Sequence, residues 1–342
     1  MKVKLLAAGL AFAWLPVLAQ TPVDRRVVLL VDEIRAIRNV PVLVAEKLGY
    51  LKSDGMDIVL VNTRNEMPHA QMLADGRVDA VMAYYHHTIV NQSEGRDVQA
   101  IITLGVTPGA KVMISKQAQG RIHSLEQIKG SRFVTGGDGS SKTTVANYLV
   151  LRGGLALSDF KRLRTEGKES NAAALRDGSV DLLVAPTPDG DYYQQKADAG
   201  VFADLTTPEG TRKYFGALFP SSTIYMSSAR LRERPDMARH LAKAFVLALR
   251  YINSHTPEEI AALIPEEATG KDKGAYLKIL KEQLPMFATD GRMPEDGARK
   301  EWEVLKTFNP KLASVQVGAT YTNAFVDQLL AAPAGQLAGN TP

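Results

Sequence analysis

Apolar residues gather along this chain in short unbroken runs, separated by longer stretches with helical spacing. "RVVLLVD" (Arg26 to Asp32), "MDIVLV" from Met56, "VDAVMA" ending at Ala83 and "VDLLVA" ending at Ala185 are near-continuous hydrophobic runs. That is the pattern of strands buried on both faces of a parallel sheet, not the alternation of a half-exposed one. Between them, "NVPVLVAEKLGY", stopped at Gly49, and "SKTTVANYLVLRGG", stopped at Gly153 or Gly154, read as helices. One phrase occurs twice. "LADGRVDAVMA" (Leu73 to Ala83) and "LRDGSVDLLVA" (Leu175 to Ala185) agree at Leu73/Leu175, Asp75/Asp177, Gly76/Gly178, Val78/Val180, Asp79/Asp181 and Ala83/Ala185, with Ala70/Ala172 one turn upstream. In each copy a helix turns its leucine inward, a glycine takes the left-handed cap position, and an apolar strand follows, so the repeated unit is α-turn-β.

Upstream of each copy lies a further unit of the same kind: strand, loop, helix and strand from Arg26 to Val61, and again from Ser131 through "FKRLRT". The chain therefore predicts an α/β protein with two β-loop-α-β-α-β modules, each built on a mainly parallel sheet with right-handed connections and flanking helices. Two such lobes side by side enclose a cleft, and ligands of open α/β sheets sit beyond the carboxyl ends of the strands, here the loops after Val31, Val61, Ala83, Thr135 and Ala185. "GVTPGAKVMISKQ" (Gly105 to Gln117) and "ALFPSSTIYMSSARL" (Ala217 to Leu231) read as two crossings between the lobes, with a hinge at Thr107 to Ile114 and Leu218 to Met226. The expected domains are residues 24–110 together with 224–335 for a discontinuous first lobe, and 111–223 for the second. From Pro235 on, "PDMARHLAKAFVLALRYINS", "PEEIAALIP", "KGAYLKILKEQLPMF" and "ARKEWEVLKTF" are amphipathic helices expected to pack beside the first lobe.

The start of the chain changes the picture. "MKVKLLAAGLAFAWLPVLAQ" sets Lys2 and Lys4 before an apolar run broken at Pro16, with Val17 and Ala19 at the spacing a signal peptidase accepts, so residues 1–19 read as a cleaved secretory signal. The 342-residue chain has no cysteine, which excludes disulfides, thiolate metal sites, cysteine nucleophiles and a lipid on an N-terminal cysteine. A free periplasmic protein, a monomer, is the expectation. Removing the signal takes away Lys2 and Lys4 and no acid, so the formal charge of +4 falls to +2. So small a surplus predicts no nucleic-acid partner.

The order of these motifs is the informative feature. The signal, "VPVLVAEKLGYLKSDGMDIVLV", "LADGRVDAVMA", "IHSLEQIKGSRFVTGGDGSS", "LRDGSVDLLVAPTPDGDYYQQ" and "LRERPDMARHLAKAFVLALRYINS" together resemble the periplasmic substrate-binding proteins of ABC importers, within them the sulfonate, nitrate, taurine and thiamine-pyrimidine group, from about Val27 to Leu330. The resemblance implies a two-lobed periplasmic-binding-protein fold of type II, hinge closure over a small ligand, an inner-membrane ABC permease as partner, and no catalysis or cofactor. It also places a ligand-contacting turn at "YYHHT" and a glycine-serine at a ligand-contacting helix start.

Candidate contacts follow. "GGDGSSKT" nearly spells a nucleotide-binding loop, but Ser141 stands where the second glycine belongs. The same physics without a nucleotide has Ser140 or Ser141 cap a helix whose positive end, with Gly139, faces the cleft, while Asp138 takes a donor from the ligand or an arginine. In "DEIRAIRNV", Asn39 reads as a helix cap that leaves Arg35 and Arg38 on the cleft loop, with Arg64 after the next strand; arginine's planar fork suits carboxylate or sulfonate. Tyr84 and Tyr85 offer flat apolar surface with a hydroxyl, and His86 follows them. His86 and His87, as neighbours on an extended chain, would point to opposite faces, which argues against a metal. "PTPDG" is a turn that brings Thr187 and Asp189 opposite the tyrosines. The expected cargo is a small organic anion, a sulfonate or carboxylate with room for an aromatic body. The alternatives are a pyrimidine precursor of thiamine, paired by Asp138, Asp189 or Glu33, and a secreted enzyme with an acid and base among His86, Asp138 and Asp189.

Overall fold

The computed structural model describes residues 25–53, 55–63, 69–137, 140–164 and 167–332. The signal segment, Arg64, Asp138 and Gly139 lie outside them. The strands are β1 (Arg26–Asp32), β2 (Lys52–Ser53), β3 (Met56–Thr63), β4 (Ala80–Ala83), β5 (Val98–Gly105), β6 (Ala110–Ile114), β7 (Arg132–Val134), β8 (Lys161–Leu163), β9 (Leu182–Pro186), β10 (Gly200–Leu205) and β11 (Ser222–Ser227). They form two sheets, ordered β2-β3-β1-β4-β11-β5 and β10-β6-β9-β7-β8. The middle of each is parallel, β3-β1-β4 and β8-β7-β9, whereas the strands next to the crossings, β5, β11, β6 and β10, pair antiparallel.

The unbroken apolar runs have the expected cause. In β9, Leu182 and Val184 join the core on one face of the second sheet, while Leu183 and Ala185 join the core on the other. In β1, Val27, Leu29 and Val31 feed one core of the first lobe and Leu30 the other. Both faces are covered, so most side chains of these two runs are buried, at roughly 1.5–3 kcal/mol for a fully buried aliphatic. β3 differs from the expectation: only Ile58 of its apolar residues is buried, because one core alone reaches it. The chain leaves the first sheet at Gly105, enters the second at Ala110, and is back in the first at Ser222.

The repeat is held by one arrangement in both lobes. Asp79 N–H donates to Val28 O and the Asp79 carboxylate accepts Val28 N–H, at 2.9 and 2.8 Å. Asp181 N–H donates to Arg132 O and its carboxylate accepts Arg132 N–H, at 2.9 and 2.7 Å. The side chain thus supplies an acceptor for an N–H of the neighbouring strand just before the two strands pair. Gly76 and Gly178, at φ +67° and +76°, turn the preceding helices (His69–Ala74 and Gly167–Asp177) into these strands.

Four segments depart from expectation. "YYHHT" runs into a helix, His86–Ser93, and the "PTPDG" turn into another, Asp189–Ala197. Asn39 makes no capping bond. Its buried side-chain amide instead donates to Asp32 O and Glu33 O, both at 2.8 Å, pinning the loop after β1 where Glu33 has φ +47°. The helix Glu295–Phe308 packs beside both lobes, not the first alone: Val304 belongs to a core of the second, Ala298 and Leu305 to one of the first. No helix among the described residues is long and apolar enough to cross a membrane.

Candidate functional site

The carboxyl ends of β1, β4 and β9 open onto a cleft between the lobes, formed by two compartments joined at Tyr84. The larger cavity, about 810 Å³, is walled by Asp32, His69, Tyr84, His86, His87, Ser140, Ser141, Tyr225 and Phe308, among others. The smaller, about 330 Å³, lies on the side of the two crossings against Arg35, Arg38, Tyr84, Gly109, Thr187, Ser221, Ser222, Tyr276 and Gln283. A small cavity of about 30 Å³ lies at their junction and shares Asp32, His69, Tyr84 and His87 with the larger and Arg38, Tyr84 and the two serines with the smaller.

Each wall follows from its local sequence. The Asn39 amide fixes the loop after β1, which sets Arg38; the guanidinium reaches Glu33 at 3.0 Å and Asp32 at 3.6 Å. Ser140 caps the helix Ser141–Arg152 by accepting Thr143 N–H at 3.3 Å, and Thr143 Oγ1 donates to Gly136 O and Gly137 O. Gly136 has to be glycine, since a Cβ there would come within 2.1 Å of Ser140 Oγ. Thr187 is held by Gln283, whose Nε2 donates to Oγ1 at 2.6 Å.

The two compartments differ in electrostatics. Burial lowers His87 to about 4, with His69 adding to the shift and Asp32 opposing it. Burial likewise holds His86 well below the usual imidazole range, helped by His87, and lowers His69 against the pull of Asp32. All three are neutral at pH 7, each offering one donor and one acceptor. The larger compartment is therefore mainly aromatic, with Asp32 and Arg96 as its charged walls, and Arg96 is already paired with Glu94 and Asn91. Arg35 and Arg38 stand in the smaller one.

Of the expected contacts, the structure brings Arg35, Arg38, Tyr84, His86, Ser140, Ser141 and Thr187 to the cleft. Two it does not. Tyr85 is fully buried in the first lobe's core, its Oη 2.5 Å from Thr320 Oγ1, because the helix opening at His86 turns it away from the ligand side. Asp189 begins a helix and pairs with Lys168 at 2.6 Å. His86 and His87 both line the larger cavity, contrary to the extended-chain expectation, because they share a helical turn. Among the described residues no group of three or more His, Cys, Asp or Glu is arranged to hold a metal.

Sequence reasoning passed over Asp32, His69, His87, Gln283 and Phe308. Asp32 closes a strand at its carboxyl end and was discoverable by that rule. Gln283 and Phe308 come from C-terminal helices, with no local signal that they cross the cleft.

The family model described as "NMT1/THI5 like" matches residues 37–260. A putative binding protein, YtlA of Bacillus subtilis, is 20% identical over 276 residues, 79% of each chain. A 4-amino-5-hydroxymethyl-2-methylpyrimidine phosphate synthase of Legionella pneumophila is 21% identical over 319 residues, 90% of this chain and 95% of its own. Among solved structures, a putative periplasmic sulfonate-binding protein, SsuA from Methylobacillus flagellatus, superposes with a TM-score of 0.68 at 13% identity, over 89% of this chain and 93% of that one. With two lobes, an interlobe cleft and a family match over most of its length, this chain belongs to the NMT1/THI5-like family.

Proposed function

We propose that the protein is the solute-binding component of an ABC importer, that it captures a small organic anion with a flat apolar body between its lobes, and that it hands this ligand to a membrane permease unchanged. The observation that carries this reading is the position of Tyr84, a shared wall of a compartment with two arginines and one lined by aromatic rings and neutral imidazoles. A carboxylate or sulfonate would meet Arg35 and Arg38 and the hydroxyls of Ser221 and Ser222, while its ring would lie along Tyr84 toward Phe308. The pairing of Arg38 with Glu33 and Asp32 orients its fork in advance of the ligand. The binding-protein relative and the SsuA superposition support transport.

A second reading has its own observation. Asp32, with His69 and His87 beside it, offers mixed donors and acceptors at the junction, a set that would suit a pyrimidine, and the Legionella relative is named for such chemistry. Thermal-shift screening with benzenesulfonate, benzoate, taurine and an aminopyrimidine, followed by calorimetry, separates them. The anion reading expects Arg38→Ala and Arg35→Ala to weaken binding more than tenfold, since losing one partner of a desolvated charge-assisted bond costs about 2–5 kcal/mol. If those changes are silent and Asp32→Asn is severe, the cargo is the heterocycle. Mass spectrometry after incubation should return the ligand unaltered; turnover would establish an enzyme.

A further inference from the structure

The helix Glu295–Phe308 carries one carboxyl that no role so far accounts for. Glu301 is fully buried, and neither of its oxygens has a hydrogen-bond partner among the described residues. A buried polar group without partners is costly, so its persistence calls for an explanation. His86 Nδ1 lies 3.8 Å from Oε1, and His86 is itself a wall of the larger compartment. Around the pair stand the ring of His87, with its centroid 4.4 Å from that of His86, the ring of Tyr84, Tyr85 with its hydroxyl on Thr320, and the buried, unpartnered hydroxyl of Tyr148 from the helix Ser141–Arg152.

We propose that Glu301 is a specificity-determining positioning residue, which as a neutral acid donates its proton to His86 Nδ1 and so fixes the imidazole with Nε2–H as the donor presented to an acceptor oxygen of the ligand. The inference rests on the reading of the cleft as an anion site. Enclosed without a cation, the carboxyl keeps its proton, and burial does raise Glu301 well above the ordinary carboxylate range. A neutral carboxylic acid needs an acceptor, and a neutral imidazole has one such nitrogen. If Nδ1 accepts, the ring proton must sit on Nε2, at the far edge of the ring from Glu301. The 3.8 Å separation exceeds a hydrogen bond by about 1 Å, a gap that a small rotation of the unpartnered Glu301 side chain closes without a ligand. An N–H donor without a net charge recognises a sulfonate or carboxylate oxygen and lets the ligand leave again.

Two measurements test this. Nitrogen-15 spectra of histidine-labelled protein, without ligand, should show His86 as the Nε2–H tautomer in the parent and in Glu301→Gln, whose amide also donates, and as a mixture in Glu301→Met. Calorimetry with benzenesulfonate should show Glu301→Met binding at least tenfold more weakly while its melting temperature is unchanged or higher, with affinity rescued in Glu301→Gln. A purely structural Glu301 would change melting and affinity together. An Nδ1–H or charged His86 in the parent overturns the proposal, as does a Glu301→Met variant of parental affinity. If the parent binds none of the anions yet keeps the Nε2–H tautomer and loses it in Glu301→Met, the anion reading fails and the positioning role stands.

Discussion

In the first lobe Asp79 receives Val28 N–H and, from far along the chain, the guanidinium of Arg230 at 2.6 Å; in the second, Asp181 receives Arg132 N–H, the same residue's guanidinium at 2.7 Å, and Arg121. The backbone half of the two arrangements is identical. The charged half is not: one copy recruits a cation from the segment after β11, the other from its own adjacent strand. The segments beyond the strands diverge further, into Tyr84 and the paired histidines on one side and Thr187 on the other. The repeated residues are therefore those that join helix to strand to neighbour, and the cleft is written in the residues that the copies do not share.

The largest effect that would test this comparison is loss of the shared carboxylate. Asp181→Ala is expected to destabilise by about 3 kcal/mol and Asp79→Ala by about 2 kcal/mol, because Asp181 is the more enclosed, at 2% against 9% side-chain exposure, and leaves more donors unmatched. Denaturant unfolding of both variants checks it, and equal losses would mean that the source of the cation is immaterial. The pH dependence sharpens the point. Burial pushes the Asp181 carboxyl up, but the bonds from Arg132 and Arg121 outweigh it and hold the group below its ordinary value. A depressed folded value gives stability that is present above the unfolded value of about 3.9 and lost as pH falls through the folded one. The stability difference between parent and Asp181→Asn should thus be full near neutrality and shrink only below about pH 4.

Next come the cap glycines. An alanine in the left-handed region costs roughly 1–2 kcal/mol. At Gly76 nothing lies within 4 Å of the added Cβ, so about 1 kcal/mol is expected. At Gly178 the Cβ would sit 2.9 Å from Gln117 Cδ, whose amide donates to Arg176 O, so the loss should approach 2 kcal/mol. Thermal unfolding that ranks them the other way would show Gln117 yielding freely. The adjacent tyrosines give the smallest pair of effects, with opposite readouts. Tyr84→Ala should weaken aromatic anion binding about tenfold, roughly 1.4 kcal/mol, at little change in melting temperature. Tyr85→Phe should lower stability by about 1 kcal/mol through its bond to Thr320 and leave affinity alone.

Much of the fold was legible because the signals were local. The apolar runs of β1, β4 and β9 mark strands with a core on each face, and the glycines at positive φ mark the helix ends. What misled were residues with two uses. Gly190 reads as a turn former, yet it lies inside a helix, 3.0 Å from Lys111 Cδ at the place of a Cβ. Asn39 reads as a cap and serves as a clamp on the loop before it. The site was less legible than the fold. Arg38, Tyr84 and Ser140 follow from strand ends and a helix start, but the direction of Tyr85 depends on a helix beginning one residue later. Phe308 and Gln283 reach the cleft only through tertiary placement of the C-terminal helices.

The helix Glu295–Phe308 also bears on the order of assembly. The second lobe's strands form a contiguous stretch of chain, whereas β11, which joins β4 to β5 in the first lobe's sheet, is made only after the second lobe's strands. Yet Val304 completes a core of that contiguous lobe. Neither lobe can finish its interior until nearly the whole polypeptide has emerged, and pairings of such long sequence separation form slowly. A chain built this way cannot lock either lobe before its last helices arrive, so the two interiors close together and late.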